Sequence, residues 1–155
     1  MTGTAGGFHA KGGIVGDVYI SSEFKHHDRR IAIPGFTEYG IGNHPATPVP
    51  NLVQHFGYKT GVVSTGNSLD HTPKDLELMA ANDASVKEME AAAIAWTTEQ
   101  LGVPFFAVKV ITDIVDGGRP SHEEFMENLE TAAKSLQDAL PKIVTFVAGK
   151  RLSDL

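Results

Sequence analysis

Ten consecutive positions, Val103-Pro104-Phe105-Phe106-Ala107-Val108-Lys109-Val110-Ile111-Thr112, carry a single charge. A run this apolar and this short suits a strand covered on both faces, as in the middle of a sheet sandwiched between helices. A lone cation there must be paired or sit at an edge, because an unpaired ammonium is excluded from a core. Lys109 is therefore expected to hold a carboxylate, either Asp113 or Glu90.

Elements of both periods surround that run. The spacing predicts a strand over 14–24, rich in β-branched and aromatic residues after Gly12-Gly13, and a buried strand over 60–66. Short helices are expected at 51–56 and 74–81, and an alanine-rich one over 89–101 that stops at Gly102. Ser121 and Glu124 are spaced as a capping box ahead of Phe125, Leu129, Ala132, Leu136, Leu140, Ile143 and Val147, the stripe of a long amphipathic helix. Pro141 lies inside it and predicts a kink or a break. From Pro34-Gly35 to Pro50 the chain reads as a long loop, over a site or at a subunit contact. Strands alternating with helices give an α/β fold: a three-layer sandwich, a mixed central sheet flanked by helices, over residues 1–155.

Composition narrows the partners. Thirteen Lys and Arg against nineteen Asp and Glu leave a charge of −6, which disfavours nucleic acid and an anionic membrane. Zero cysteines exclude a disulfide framework, a thiolate zinc site and a thiol nucleophile, and fit a reducing compartment, so the expected location is the cytoplasm. His26-His27, His9, His44, His55, His71 and His122 show no metal-site spacing and are expected to be solvated. Phosphate-loop, dinucleotide-loop and serine-elbow motifs do not occur.

Ligands of open α/β sheets bind beyond the carboxyl ends of the strands, and Asp113 sits there, directly after the most apolar strand. It reads either as a solvated loop residue or as a desolvated acid. Glu90 reads either as a helix-start carboxylate favoured by the helix dipole or as an acceptor for two vicinal hydroxyls. Met89 is either core filling or a soft contact to a sugar. Gly3-Thr4-Ala5-Gly6-Gly7 reads either as a flexible terminus or as the glycine-rich turn after a core strand. The second reading carries the expectation that the first strands of the sheet are missing from this chain.

Four segments in order are Gly3-Thr4-Ala5-Gly6-Gly7, Ser64-Thr65-Gly66-Asn67-Ser68-Leu69-Asp70, Glu88-Met89-Glu90-Ala91-Ala92-Ala93 and Lys109-Val110-Ile111-Thr112-Asp113. Together they resemble the 5′-methylthioadenosine/S-adenosylhomocysteine nucleosidases of the nucleoside phosphorylase superfamily, and the tail Gly149 to Leu155 is similar to the plant-type branch. The resemblance implies hydrolysis of methylthioadenosine, possible action on S-adenosylhomocysteine, a role in methionine salvage, a homodimer, and no metal or organic cofactor. It implies that Asp113 protonates the purine at N7 with Thr112 and Lys109 in support, that Glu90 binds the ribose hydroxyls and Met89 the sugar face, that Leu69 lines the base pocket, and that Thr4, Ala5 and Gly6 lie beside the sugar. The family's water-activating Glu falls in an amino-terminal segment outside these residues. Asn67 stands where the family usually has Asp, which puts substrate preference in question. The competing expectations are a phosphorylase, for which Lys109 is the only internal cation the pattern places, and a nucleoside-binding or storage relative without turnover.

Overall fold

In the computed structural model, which describes residues 1–155, strands and helices succeed one another as β1 (Thr2–Gly7), β2 (Val18–His26), α1 (Thr37–Ile41), β3 (His44–Pro45), α2 (Pro50–Phe56), β4 (Lys59–Thr65), α3 (Pro73–Ala81), β5 (Ala84–Glu88), α4 (Ala91–Gln100), β6 (Val108–Ile114) and α5 (Ser121–Val147). The sheet is mixed, in the order β3-β2-β4-β5-β1-β6, and it curls so that β2 also pairs antiparallel with β6. Helices flank it, as expected for this α/β class. One apolar cluster, containing Phe24, Val63, Val86 and Ile111, sits between the sheet and the alanines of α4. A second joins Ile20 and Val108 to Leu52 of α2 and to Ala139 and Ile143 of α5.

The glycine-rich start is neither a turn nor a loose terminus. It is strand β1, paired parallel with β6 from Thr2↔Val108 to Gly7↔Ile114 and antiparallel with β5 at its far end. Glycine weakens an isolated strand, but here neighbours crowd the backbone. A Cβ on Gly7 would meet Ile111 Cγ2 at 3.0 Å, and one on Gly6 would meet Val115 Cγ2 at 2.7 Å.

Other expectations shift for equally local reasons. The apolar run forms a strand only from Val108, since Pro104 has no N–H to give a ladder, and Phe105 and Phe106 pack against the core from an irregular segment. Residues 14–17 form a turn, with Gly16 at φ 87° and the Asp17 carboxylate accepting from the Ile14 N–H at 2.9 Å. Inside the expected long loop lie α1 and β3, too short to leave a periodic signal. Strand β5 was not legible at all, because Ala84-Ser85-Val86-Lys87-Glu88 buries all five residues, two of them charged.

The expected capping box at Ser121 does not form. Ser121 is already helical, and Glu124 instead accepts from the Ile114 N–H at 2.8 Å. A capping box does exist two helices earlier, between Thr72 and Asp75 at the start of α3. No break occurs at Pro141: α5 runs on through it, since one forfeited backbone bond is outweighed by Ala139 and Ile143 anchored in the core on either side. The stripe is buried at Ala132 and Ile143, whereas Leu129 is exposed.

Candidate functional site

Where β1, β5 and β6 end beside the start of α4, the sheet opens into a cavity of about 320 Å³. Thr4, Ala5, Gly6, Leu69, Met89, Glu90, Lys109, Thr112 and Asp113, all nine residues the sequence pointed to, line it together. Thr2, Gly3, Lys87, Glu88 and Phe125 complete the wall. Of these, Lys87 and Glu88 are the consequential omissions. They lie at the carboxyl end of β5, the place where ligand groups are expected, but recognising that strand was the precondition.

A register shift aims the acid. Along β1 and β6 the pairing runs Ala5↔Ile111 and then Gly6↔Asp113, so Thr112 is an extra residue on β6. Regular alternation would send Thr112 and Asp113 to opposite faces, but the bulge lets both reach the cavity. The Thr112 hydroxyl lies 2.7 Å from Asp113 Oδ1 and 3.2 Å from the Ala5 carbonyl oxygen, so it fixes the carboxyl to the neighbouring strand. Asp113 is 4% exposed. Burial pushes its carboxyl above the usual aspartate value, against the opposing effects of the Thr112 hydrogen bond and the Lys87 ammonium. Gly6 makes room for it, since a Cβ there would stand 2.9 Å from Asp113 Oδ2.

Lys109 does not support Asp113. Its ammonium meets Glu88 Oε2 at 2.8 Å inside the core and reaches Glu90 Oε2 only at 3.8 Å. The residue that resolves the lone cation is therefore Glu88. Its carboxylate also accepts from the Thr65 hydroxyl, from the Glu90 N–H at 3.1 Å and from the Ala91 N–H at 2.9 Å. Burial alone would raise the Glu88 carboxyl, but Lys109, Thr65 and the Ala91 N–H outweigh it and hold it below the usual value. Glu88 thus caps α4, the task that Glu90 could have had. Glu90 makes no side-chain cap bond, and its side chain is 59% exposed at the cavity mouth.

Lys87 is the second cation of the cavity, where the pattern had placed Lys109 alone. Its ammonium donates to the carbonyl oxygens of Ser68 at 2.8 Å and Leu69 at 2.7 Å, and burial lowers its pKa. Asn67 stays outside the cavity wall. Its backbone and side-chain N–H groups donate to Asp28 Oδ2 at 2.6 and 3.1 Å, a partner that an aspartate side chain could not serve. Two histidines expected in solvent are buried: His27 lies 3.1 Å from the Ser64 hydroxyl, and His44 lies 2.6 Å from Glu99 Oε2.

The sequence profile of the phosphorylase superfamily matches residues 1–145. The 5′-methylthioadenosine/S-adenosylhomocysteine nucleosidase of Arabidopsis thaliana is 48% identical over 99% of this chain and 60% of its own length. The apo structure of the Arabidopsis thaliana 5′-methylthioadenosine nucleosidase superposes with a TM-score of 0.96 at 44% identity, covering 99% of this chain and 63% of that one. A Colwellia psychrerythraea nucleosidase in complex with adenine gives 0.78 at 29% identity, over 97% of this chain and 67% of that one. The chain spans about 60% of the length of the plant relatives it matches. The chain belongs to the phosphorylase superfamily, in its 5′-methylthioadenosine/S-adenosylhomocysteine nucleosidase family.

Proposed function

We propose that the cavity binds 5′-methylthioadenosine and that the chain takes part in hydrolysing its N-glycosidic bond to adenine and 5-methylthioribose, a step of methionine salvage in the cytoplasm. One observation carries the reading: a buried carboxyl held toward its protonated form, Asp113, shares a cavity with an exposed carboxylate, Glu90. Breaking the bond leaves positive charge on the sugar and negative charge on the base. Protonation of the purine at N7 by Asp113 lets adenine leave neutral, and burial favours the protonated carboxyl that this step needs. Glu90, charged and open to the cavity, accepts two hydrogen bonds from the ribose 2′ and 3′ hydroxyls, with Met89 against the sugar and Leu69 against the base. Water adds at C1′, and its proton leaves to a carboxylate on the opposite face.

Glu88 and Glu90 are both committed to other tasks. Glu88 is consumed by Lys109, Thr65 and the α4 amides, and Glu90 faces the sugar. A second copy of the chain is the proposed partner, since Phe36, Tyr39 and Trp96 leave apolar surface exposed. Incubating the purified chain with methylthioadenosine, with and without phosphate, separates the outcomes. Adenine released without phosphate supports hydrolysis, and a sugar-phosphate product supports a phosphorylase. Saturable binding without product supports the binding relative, and failure to bind rejects the nucleoside site.

A further inference from the structure

Lys87, Gly6 and Asp113 stand on one rung of the sheet. Gly6 of β1 is paired on one side with Lys87 of β5 and on the other with Asp113 of β6. At the usual spacing of about 4.8 Å between strands, the two Cα atoms are about 10 Å apart. Only a glycine lies between them, so no side chain separates the ammonium arm from the carboxyl, and both line the same cavity. Lys87 is 5% exposed, yet it forms no close ion pair: its hydrogen bonds go to the carbonyls of Ser68 and Leu69. A cation kept in a nearly dry place for two neutral acceptors is expensive unless its charge serves a neighbour.

We infer that Lys87 is a positioning residue of the nucleoside site, pinning the Ser68-Leu69 wall over the base pocket and setting the protonation balance of Asp113 across Gly6. The inference rests on the nucleoside reading proposed above. Two effects follow from one ammonium. The pin holds Leu69, itself exposed, against the cavity, so that adenine meets a preformed wall. The charge favours the carboxylate that Asp113 becomes once it has given its proton to the base, and so limits how far burial raises its pKa. Other charged groups share this field. Asp70 in the pinned loop, Asp75 on α3 and Asp28 after β2 act on Lys87, and Lys87 in turn opposes protonation of His27. Glu124 of α5 and His71 act on Asp113 together with Lys87.

The test uses the full chain, with Asp113 followed by carboxyl ¹³C NMR titration and adenine affinity by calorimetry. Lys87→Met keeps the length of the arm without its charge or donors. The Asp113 midpoint should move to higher pH and adenine should bind at least ~10-fold more weakly, equivalent to about 1.4 kcal/mol. Lys87→Gln keeps a donor but no charge. It should show the same direction of titration shift with most of the affinity retained, and it supplies the titration readout if Lys87→Met does not fold. Lys87→Arg should restore both properties. An unchanged Asp113 midpoint in both neutral variants overturns the inference. A wild-type chain that binds neither adenine nor methylthioadenosine overturns the nucleoside reading instead, while the titration shift still decides what Lys87 does to Asp113.

Discussion

Lys109 and Glu88 form an ion pair sealed in the core, Nζ to Oε2 2.8 Å, with side chains 1% and 2% exposed. The pair ties β6 to the last residue of β5, and through the α4 amides it fixes where Glu90 emerges. Removing one partner strands a buried charge. Lys109→Met and Glu88→Gln should each cost about 3–5 kcal/mol in urea unfolding, while the double variant Lys109→Met/Glu88→Gln should cost clearly less than their sum. Equal additivity would show that the two side chains act independently.

The same pair sets an acid limit. Glu88 is held below its unfolded-state pKa, so its contribution is fully present above that value and is lost as pH falls through the lower, folded value. Stability should therefore decline below about pH 4, and Glu88→Gln should flatten that decline. An unaltered acid limb in the variant would mean that Glu88 is not the group responsible.

Asp113 has the opposite sign. Its folded pKa is raised, so the native state favours the neutral carboxyl, and this group contributes less stability as pH rises through the folded value. Asp113→Asn keeps the acceptor for the Thr112 hydroxyl but cannot deliver a proton. At pH 7–8 it should melt at or above the wild-type temperature, while any adenine release falls by at least ~100-fold. Retained release would remove Asp113 from the acid role.

Gly6→Ala tests the fit between acid and backbone. The new methyl group would lie 2.7 Å from Val115 Cγ2 and 2.9 Å from Asp113 Oδ2, so one of them must move. A destabilisation of about 1–3 kcal/mol, together with weaker nucleoside binding, is expected from urea melts and calorimetry.

Glu90→Gln should leave folding within about 0.5 kcal/mol of wild type, because the side chain is mostly exposed and caps nothing. Methylthioadenosine affinity should nonetheless fall by about 10-fold or more, as a charged acceptor for two hydroxyls is lost. A stability loss with unchanged affinity would invert the assignment and make Glu90 the structural acid.

Local pattern carried far into this molecule. Amphipathic spacing disclosed α5 and the alanine stretch disclosed α4. The apolar run located β6, and Asp113 at its carboxyl end marked the cavity. These signals are readable because helix and strand periods are written in neighbouring residues. Division of labour among the acids was not readable. Glu88 and Glu90 stand two positions apart at the start of one helix, and Lys109 reaches Glu88 from a strand twenty-one positions further on, a choice only the packed sheet makes. The bulge at Thr112 and the rung joining Lys87, Gly6 and Asp113 arise likewise from pairings between strands distant in the chain. Periodicity tells a residue which way to face, but what it finds there is decided by parts of the chain that folding brings alongside.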